Sequence, residues 1–208
     1  VVGLLIALMR TSKNRFLSGI SKLYVDIVRG TPMLVQALIF AYGIPEFIQT
    51  HLFYFKWANL IIPAIIVCGL NSAAYMSEVI RSGIQAVDKG QMEAARSLGM
   101  SKTMAMRLII IPQAVKIILP AVGNEFVTLI KETSVLSYVG VHEILRKGTL
   151  LSAATFEAFP AYIGVALAYL LLTLPLSKLI ANLEHRDKGS QKKIAEEKNE
   201  PKLEGGAA

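Results

Sequence analysis

The chain has one cysteine, Cys68, among 208 residues. An internal disulfide is therefore excluded, and a thiol set in an apolar run serves packing. Charge is scarce: Asp, Glu, Lys and Arg make up 18% of the residues, against 53% hydrophobic and a mean hydropathy of +0.50. That balance excludes an ordinary soluble domain and points to a polytopic membrane protein. Catalytic constellations are missing as well. There is no glycine-rich phosphate loop and no Gly-x-Ser-x-Gly nucleophile elbow. His51, His142 and His185 fall on separate segments and, in the topology argued below, on opposite sides of a bilayer, so they cannot make one metal site. No internal repeat is long enough to suggest two fused subunits. The net charge of +7 is not a nucleic-acid signal, because the basic residues sit in connections beside apolar runs and not in an aromatic-studded patch.

What is present is a series of apolar runs. Residues 1–9, VVGLLIALM, stop at Arg10. Nine residues cannot cross a bilayer that needs about twenty, so this run reads as the end of a truncated first span. From Asn14 to Val28, Phe16, Leu17, Ile20, Leu23, Tyr24, Ile27 and Val28 recur at spacings of three and four. That is the pattern of an amphipathic helix lying at the interface or against a bundle. Thr31 is placed to cap a following helix, with Pro32 at its first position and Pro45 marking its outer end near Ile44 or Ile48. Further spans are predicted over Ala58–Ile80, Thr103–Ile130 and Thr155–Ala181, the middle one kinked by Pro112 and Pro120. The fold class is all-α: a polytopic membrane helical bundle of about five crossings, counting the partial first, over residues 1–183. Residues 184–208, charged and small, carry no apolar face and read as a disordered tail.

Basic residues orient the bundle. Arg10, Lys13, Arg15, Lys22 and Arg29 share one connection, and Arg81, Lys89, Arg96, Lys102 and Arg107 another, which places both in the cytoplasm. The Pro45–Trp57 segment has only Lys56 and carries Phe53, Tyr54, Phe55 and Trp57 like an interfacial belt, so it faces outward. Alternation puts the Lys131–Ala154 connection outside, although Lys131, Arg146 and Lys147 weaken its bias, and the C-terminus inside.

Between two of these spans lies a short polar helix. Asp88, three residues before Gln91, has the spacing of a capping box, and Gly99 stands where a left-handed residue closes a helix, giving a rod over about residues 89–98. At about 15 Å it is too short to cross a bilayer. Met92, Ala94, Ala95 and Leu98 lean to one side, a small apolar ridge for a groove, and Lys89, Glu93, Arg96 and Ser97 lean to the other. Spacing alone favours an ordinary cytoplasmic connector.

The run Glu93-Ala94-Ala95, Gly99, then Ile109-Ile110-Ile111-Pro112 resembles the EAA signature of membrane subunits of ABC importers, with Ile111 where Leu is commoner. Tyr24–Pro32, Asn71–Gly83, Lys89-Gly90-Gln91 and Asn124–Ser134 extend the resemblance to the polar amino-acid branch, over about residues 10–183. The resemblance implies a type I importer transmembrane domain in a bacterial cell membrane. It also implies that Gln91, Glu93, Ala94, Ala95, Arg96 and Gly99 belong to a coupling helix docked on a separate ATPase subunit. Its implied partners are ABC ATPase subunits, a second permease subunit, identical or homologous, and an extracellular or periplasmic amino-acid-binding protein. It calls for no cofactor and no metal on this chain.

Ionisable residues in the spans are the candidates for a substrate pathway. Glu78 lies near the cytoplasmic end of its span, where it can equally reach water. Asn124 and Glu125 lie deeper, where polar groups are costly unless they face a cavity or a partner. Lys131 and Glu132 are adjacent and point about 100° apart on a helix, so they do not pair face to face. A non-transporting membrane scaffold, or a permease for another small solute, fits the same spans. An intramembrane hydrolase lacks its constellation.

Overall fold

The computed structural model describes residues 1–199, with side chains through Asn182. Eight helices are followed here. The first, α1 (Val2–Arg10), leads through Asn14 into α2 (Arg15–Gly30). Asn14 accepts hydrogen bonds from the Phe16 and Leu17 amides, the side-chain cap that its residue type favours. The next, α3 (Met33–His51), begins one residue later than predicted. Pro32 occupies the cap position, and Thr31 turns back so that its hydroxyl donates to the Ile27 carbonyl, closing α2.

Pro45 does not end α3. A five-residue π turn, Ile39–Gly43, precedes it and the helix continues to His51. A proline ring clashes with the carbonyl four residues back in a regular α-helix, and one extra residue in the turn relieves that clash. The same solution recurs in α6 (Lys102–Val139), where a π turn at Met106–Ile110 precedes Pro112. Both π turns begin six residues before their proline. Pro120, by contrast, lies inside a continuous stretch of α6. The last seven residues of α6, Thr133–Val139, tighten into a 3-10 helix ended by Gly140 at φ +88°.

Four helices among the described residues have membrane length and composition: α3, α4 (Ile61–Gln85), α6, and the Ala158–Asn182 portion of α8 (Ala158–Asn199). The backbone of α8 is helical past Glu184 into the stretch read as a tail, where Lys, Glu and Ala are good helix formers. Residues 200–208 lie outside the described residues. The Lys131–Ala154 connection is more ordered than a loop, because it holds the 3-10 turn and α7 (Ile144–Thr155).

The bundle is built around α4, which packs against α1, α2 and α6, while α8 covers α6 and α7. Small residues let these backbones approach. Gly83 of α4 is buried, and a methyl group added there would run into the Ile118 side chain of α6. Two apolar clusters fix the ends. At one end Met33, Ala37 and Ala41 meet Ala64, Val67, Leu136 and Val139. At the other, Val87, Ile110 and Ala114 gather Ile84, Met92, Met106, Ile109 and Ile118.

Candidate functional site

The short helix α5 (Lys89–Ser97) sits against the second of these clusters, between α4 and α6. Its N-terminus is capped by Asp88, whose carboxylate accepts from the Gly90 amide at 2.5 Å. The predicted reciprocal arm of a capping box does not form. The Gln91 side chain turns away from the Asp88 amide, and its carbonyl oxygen accepts from Gln113 Nε2 of α6 at 3.4 Å. Gln113 Nε2 also donates to the Ile109 carbonyl at 3.0 Å. Gln91 thereby links α5 to the π turn of α6 and not to its own N-terminus.

The C-terminus is closed as the sequence predicts. Gly99 has φ +81°, the Met100 amide bonds the Ala95 carbonyl and the Gly99 amide bonds the Arg96 carbonyl. This pair of bonds is the Schellman closure. Arg96 Nη1 adds a hydrogen bond to the Met100 carbonyl at 2.9 Å. The rod is thus fastened at both ends.

The predicted apolar ridge divides into two. Ala95 is buried and Met92 half-buried, and these anchor α5 to the bundle. Ala94 is exposed and Leu98 is 83% exposed, and Glu93 and Ser97 lie out with them. The 100° step between residues puts Met92 and Ala95 on the inner side, and only half of the ridge is left for an outside partner. Leu98 has no apolar neighbour covering it among the described residues.

The span residues separate. Glu78 is half-buried on α4, with Arg10 Nη1 donating to its carboxylate at 2.6 Å and Arg81 closing on the other side. Its carboxylate therefore ties α1 to α4. Arg29 of α2 lies over the Tyr75 ring, 5.2 Å from its centre, one turn away on the same span. Asn124 is exposed on α6 and Glu125 half-buried beside it, on a different helix from Glu78. Lys131 is exposed and Glu132 half-buried, as their angular separation requires. The structure brings the α5 residues together on one short helix, with Glu78 on α4 and Asn124, Glu125 and Lys131 on α6, the helix that packs against it.

Sequence reasoning missed two further polar residues. Asn71 is buried in α4, and its side-chain oxygen has no hydrogen-bond partner among the described residues. Glu143 caps α7 through the Leu145 and Arg146 amides and accepts from the Tyr169 hydroxyl of α8 at 2.8 Å. Its sequence signal was weak, since Glu143 is not a favoured cap residue and the helix that follows, ILRKGTLLSAAT, is of mixed polarity.

Comparison with known proteins places this geometry. Residues 1–188 match the family described as binding-protein-dependent transport system inner membrane component. The chain belongs to this family. It is therefore the transmembrane component of an ABC importer. A relative from Bacillus subtilis, the probable glutamine ABC transporter permease protein GlnM, is 38% identical over 89% of this chain and 83% of its own length. The nopaline transport system permease protein NocM of Agrobacterium fabrum is 40% identical over 86% of this chain and 76% of its own. Among solved structures, a crystal structure of an amino acid ABC transporter with histidines superposes with a TM-score of 0.81 at 42% identity, covering 89% of this chain and 83% of that one. The MetNI methionine ABC transporter, at 16% identity and a TM-score of 0.62, shares the fold. For a member of this family, an ATPase and a binding protein are the general partners, and α5 stands on the EAA residues.

Proposed function

We propose that this importer subunit carries polar amino acids, and that α5 is the coupling helix through which a separate ATPase subunit drives it. The observation that carries the proposal is a nine-residue helix outside the spans, capped at both ends and anchored by Met92 and Ala95, with Glu93, Ala94 and Leu98 turned outward. Rigid closure at both ends suits an element that must transmit a push without fraying. Two such membrane subunits, identical or homologous, form the pathway, and an external binding protein delivers the substrate. ATP hydrolysis belongs to the ATPase subunits, and α5 and the C-terminus are cytoplasmic. The polar amino-acid substrate is supported by relatives whose names specify glutamine and nopaline and by the solved amino acid transporter. Asn124 and Glu125, with Lys131 further along α6, line or support the pathway. The ion-paired Glu78 positions α1.

Co-purification and reconstitution test this reading. An ATPase subunit should come down with the chain. In vesicles, ATP hydrolysis and uptake should rise together when binding protein and a polar amino acid are supplied. A complex that hydrolyses ATP without regard to binding protein, or accumulates no amino acid, overturns it.

A further inference from the structure

The two π turns differ in one respect. In α3 the Ile44 amide bonds the Ile39 carbonyl, and Pro45 has no amide to give. The Phe40 carbonyl is thereby left without a helix donor at either the α or the π spacing. Trp57 fills the gap, its indole N–H donating to Phe40 at 2.7 Å. Tyr42, in the same turn, donates its hydroxyl to the Val139 carbonyl at 2.9 Å. That turn is held from two directions. In α6 the Ile111 amide bonds the Met106 carbonyl and Pro112 has no amide, so the Arg107 carbonyl is the equivalent orphan. Among the described residues no side chain donates to it, and Arg107 is exposed. The second turn lacks the brace that the first one has.

Its surroundings also allow movement. A cavity of about 520 Å³ lies between the turn and α5, lined by residues that include Val87, Met92, Met106 and Ile110. The Met92 and Met106 contacts join the turn itself to α5, and the Gln91–Gln113 hydrogen bond joins α5 to the first residues of α6 past Pro112. Beyond it, α6 runs on to Asn124 and Glu125. Sharp bends in helices localise at π turns and prolines, and a turn with a free carbonyl and adjoining space bends at least cost.

We infer that the Met106–Ile110 turn, set by Pro112 and joined to α5 through the Met92 and Met106 contacts, is the hinge at which motion of α5 is passed to the outer part of α6. The inference rests on the coupling role proposed for α5. Replacing Pro112 by Ala restores an amide for the Arg107 and Leu108 carbonyls and removes the ring clash, so the turn relaxes toward a regular α-helix. In reconstituted complex, Pro112→Ala should retain ATPase association and basal hydrolysis, while uptake per ATP falls about tenfold, within the range typical of coupling between sites. Pro45→Ala, in the braced turn, should leave uptake per ATP within about twofold, since no coupled site acts through it.

A direct measurement is independent of how that variant folds. In protein carrying Cys68→Ser, spin labels at Thr103→Cys and Phe126→Cys straddle the turn, and their separation should shift between nucleotide-free and ATP-bound complex. An unchanged separation in a complex that still transports overturns the hinge and leaves the coupling reading intact. Normal uptake per ATP in a Pro112→Ala complex whose label separation no longer shifts also overturns it. A wild-type complex that binds no ATPase refutes the coupling reading first, and the hinge with it.

Discussion

A carboxylate placed in a span needs partners or water, and Glu78 and Glu125 meet that need in different ways. Glu78 is held by Arg10, 68 residues earlier, and by Arg81 one turn along α4. The Arg81 contact is legible from an i,i+3 spacing, but the Arg10 contact requires knowing that α1 lies along α4. Glu78→Gln keeps the side-chain shape and removes the charge. Arg10 and Glu78 are each only about one-fifth exposed, so the loss should exceed the roughly 1 kcal/mol of an exposed surface pair. It should appear as a lower thermal midpoint in detergent with uptake per folded complex retained. Glu125 is half-buried on the face of α6 beside exposed Asn124. Glu125→Gln should lower amino-acid uptake while ATPase association and basal hydrolysis stay near wild type. Unchanged uptake would return Glu125 to a packing role.

At the scale of the element, α5 was legible at its ends and less so along its face. Asp88 and Gly99 mark its boundaries because capping is local chemistry, decided within four residues of sequence. Gln91 and Leu98 were misread because their partners are tertiary. Gln91 prefers Gln113 of α6, and Leu98 has no neighbour among the described residues to cover it. The π turns escaped for a related reason: a proline signals a disturbed helix but not which way the backbone accommodates it. The cap makes a specific claim about Gly99. Open space surrounds it, so a methyl group there would meet no neighbouring atom and the cost is that of φ +81° alone, about 1 kcal/mol. Gly99→Ala should therefore fray the end of α5 without disturbing insertion. Glu93→Lys reverses a charge on the exposed face without touching either cap. Both variants should weaken ATPase pull-down or separate hydrolysis from uptake in the reconstituted complex. Normal association and normal uptake in both would reduce α5 to a connector.

For the whole molecule, the four spans were legible because an apolar run of about twenty residues has few alternatives to crossing a bilayer, whereas α7 was not, being twelve residues of mixed polarity in a connection. Which way the bundle faces is a separate matter, carried by the clustering of Lys and Arg in two connections. Thr50 lies near the end of α3, before the aromatic segment, and Ser101 caps the start of α6 just after α5; both are exposed. One span, α4, separates them. A single crossing puts the two positions on opposite faces of the membrane, and the orientation proposed from the basic residues around α5 has Ser101 on the cytoplasmic face. Cys68, the one native thiol, is part-buried within α4, and replacing it by Ser gives a background free of other thiols. In that background Thr50→Cys should react with a membrane-impermeant maleimide added to intact cells, and Ser101→Cys only after the membrane is opened. Labelling of both from outside would mean that α4 does not cross. The reverse pattern would put α5 on the wrong side to meet an ATPase, and the coupling role would fall with the orientation.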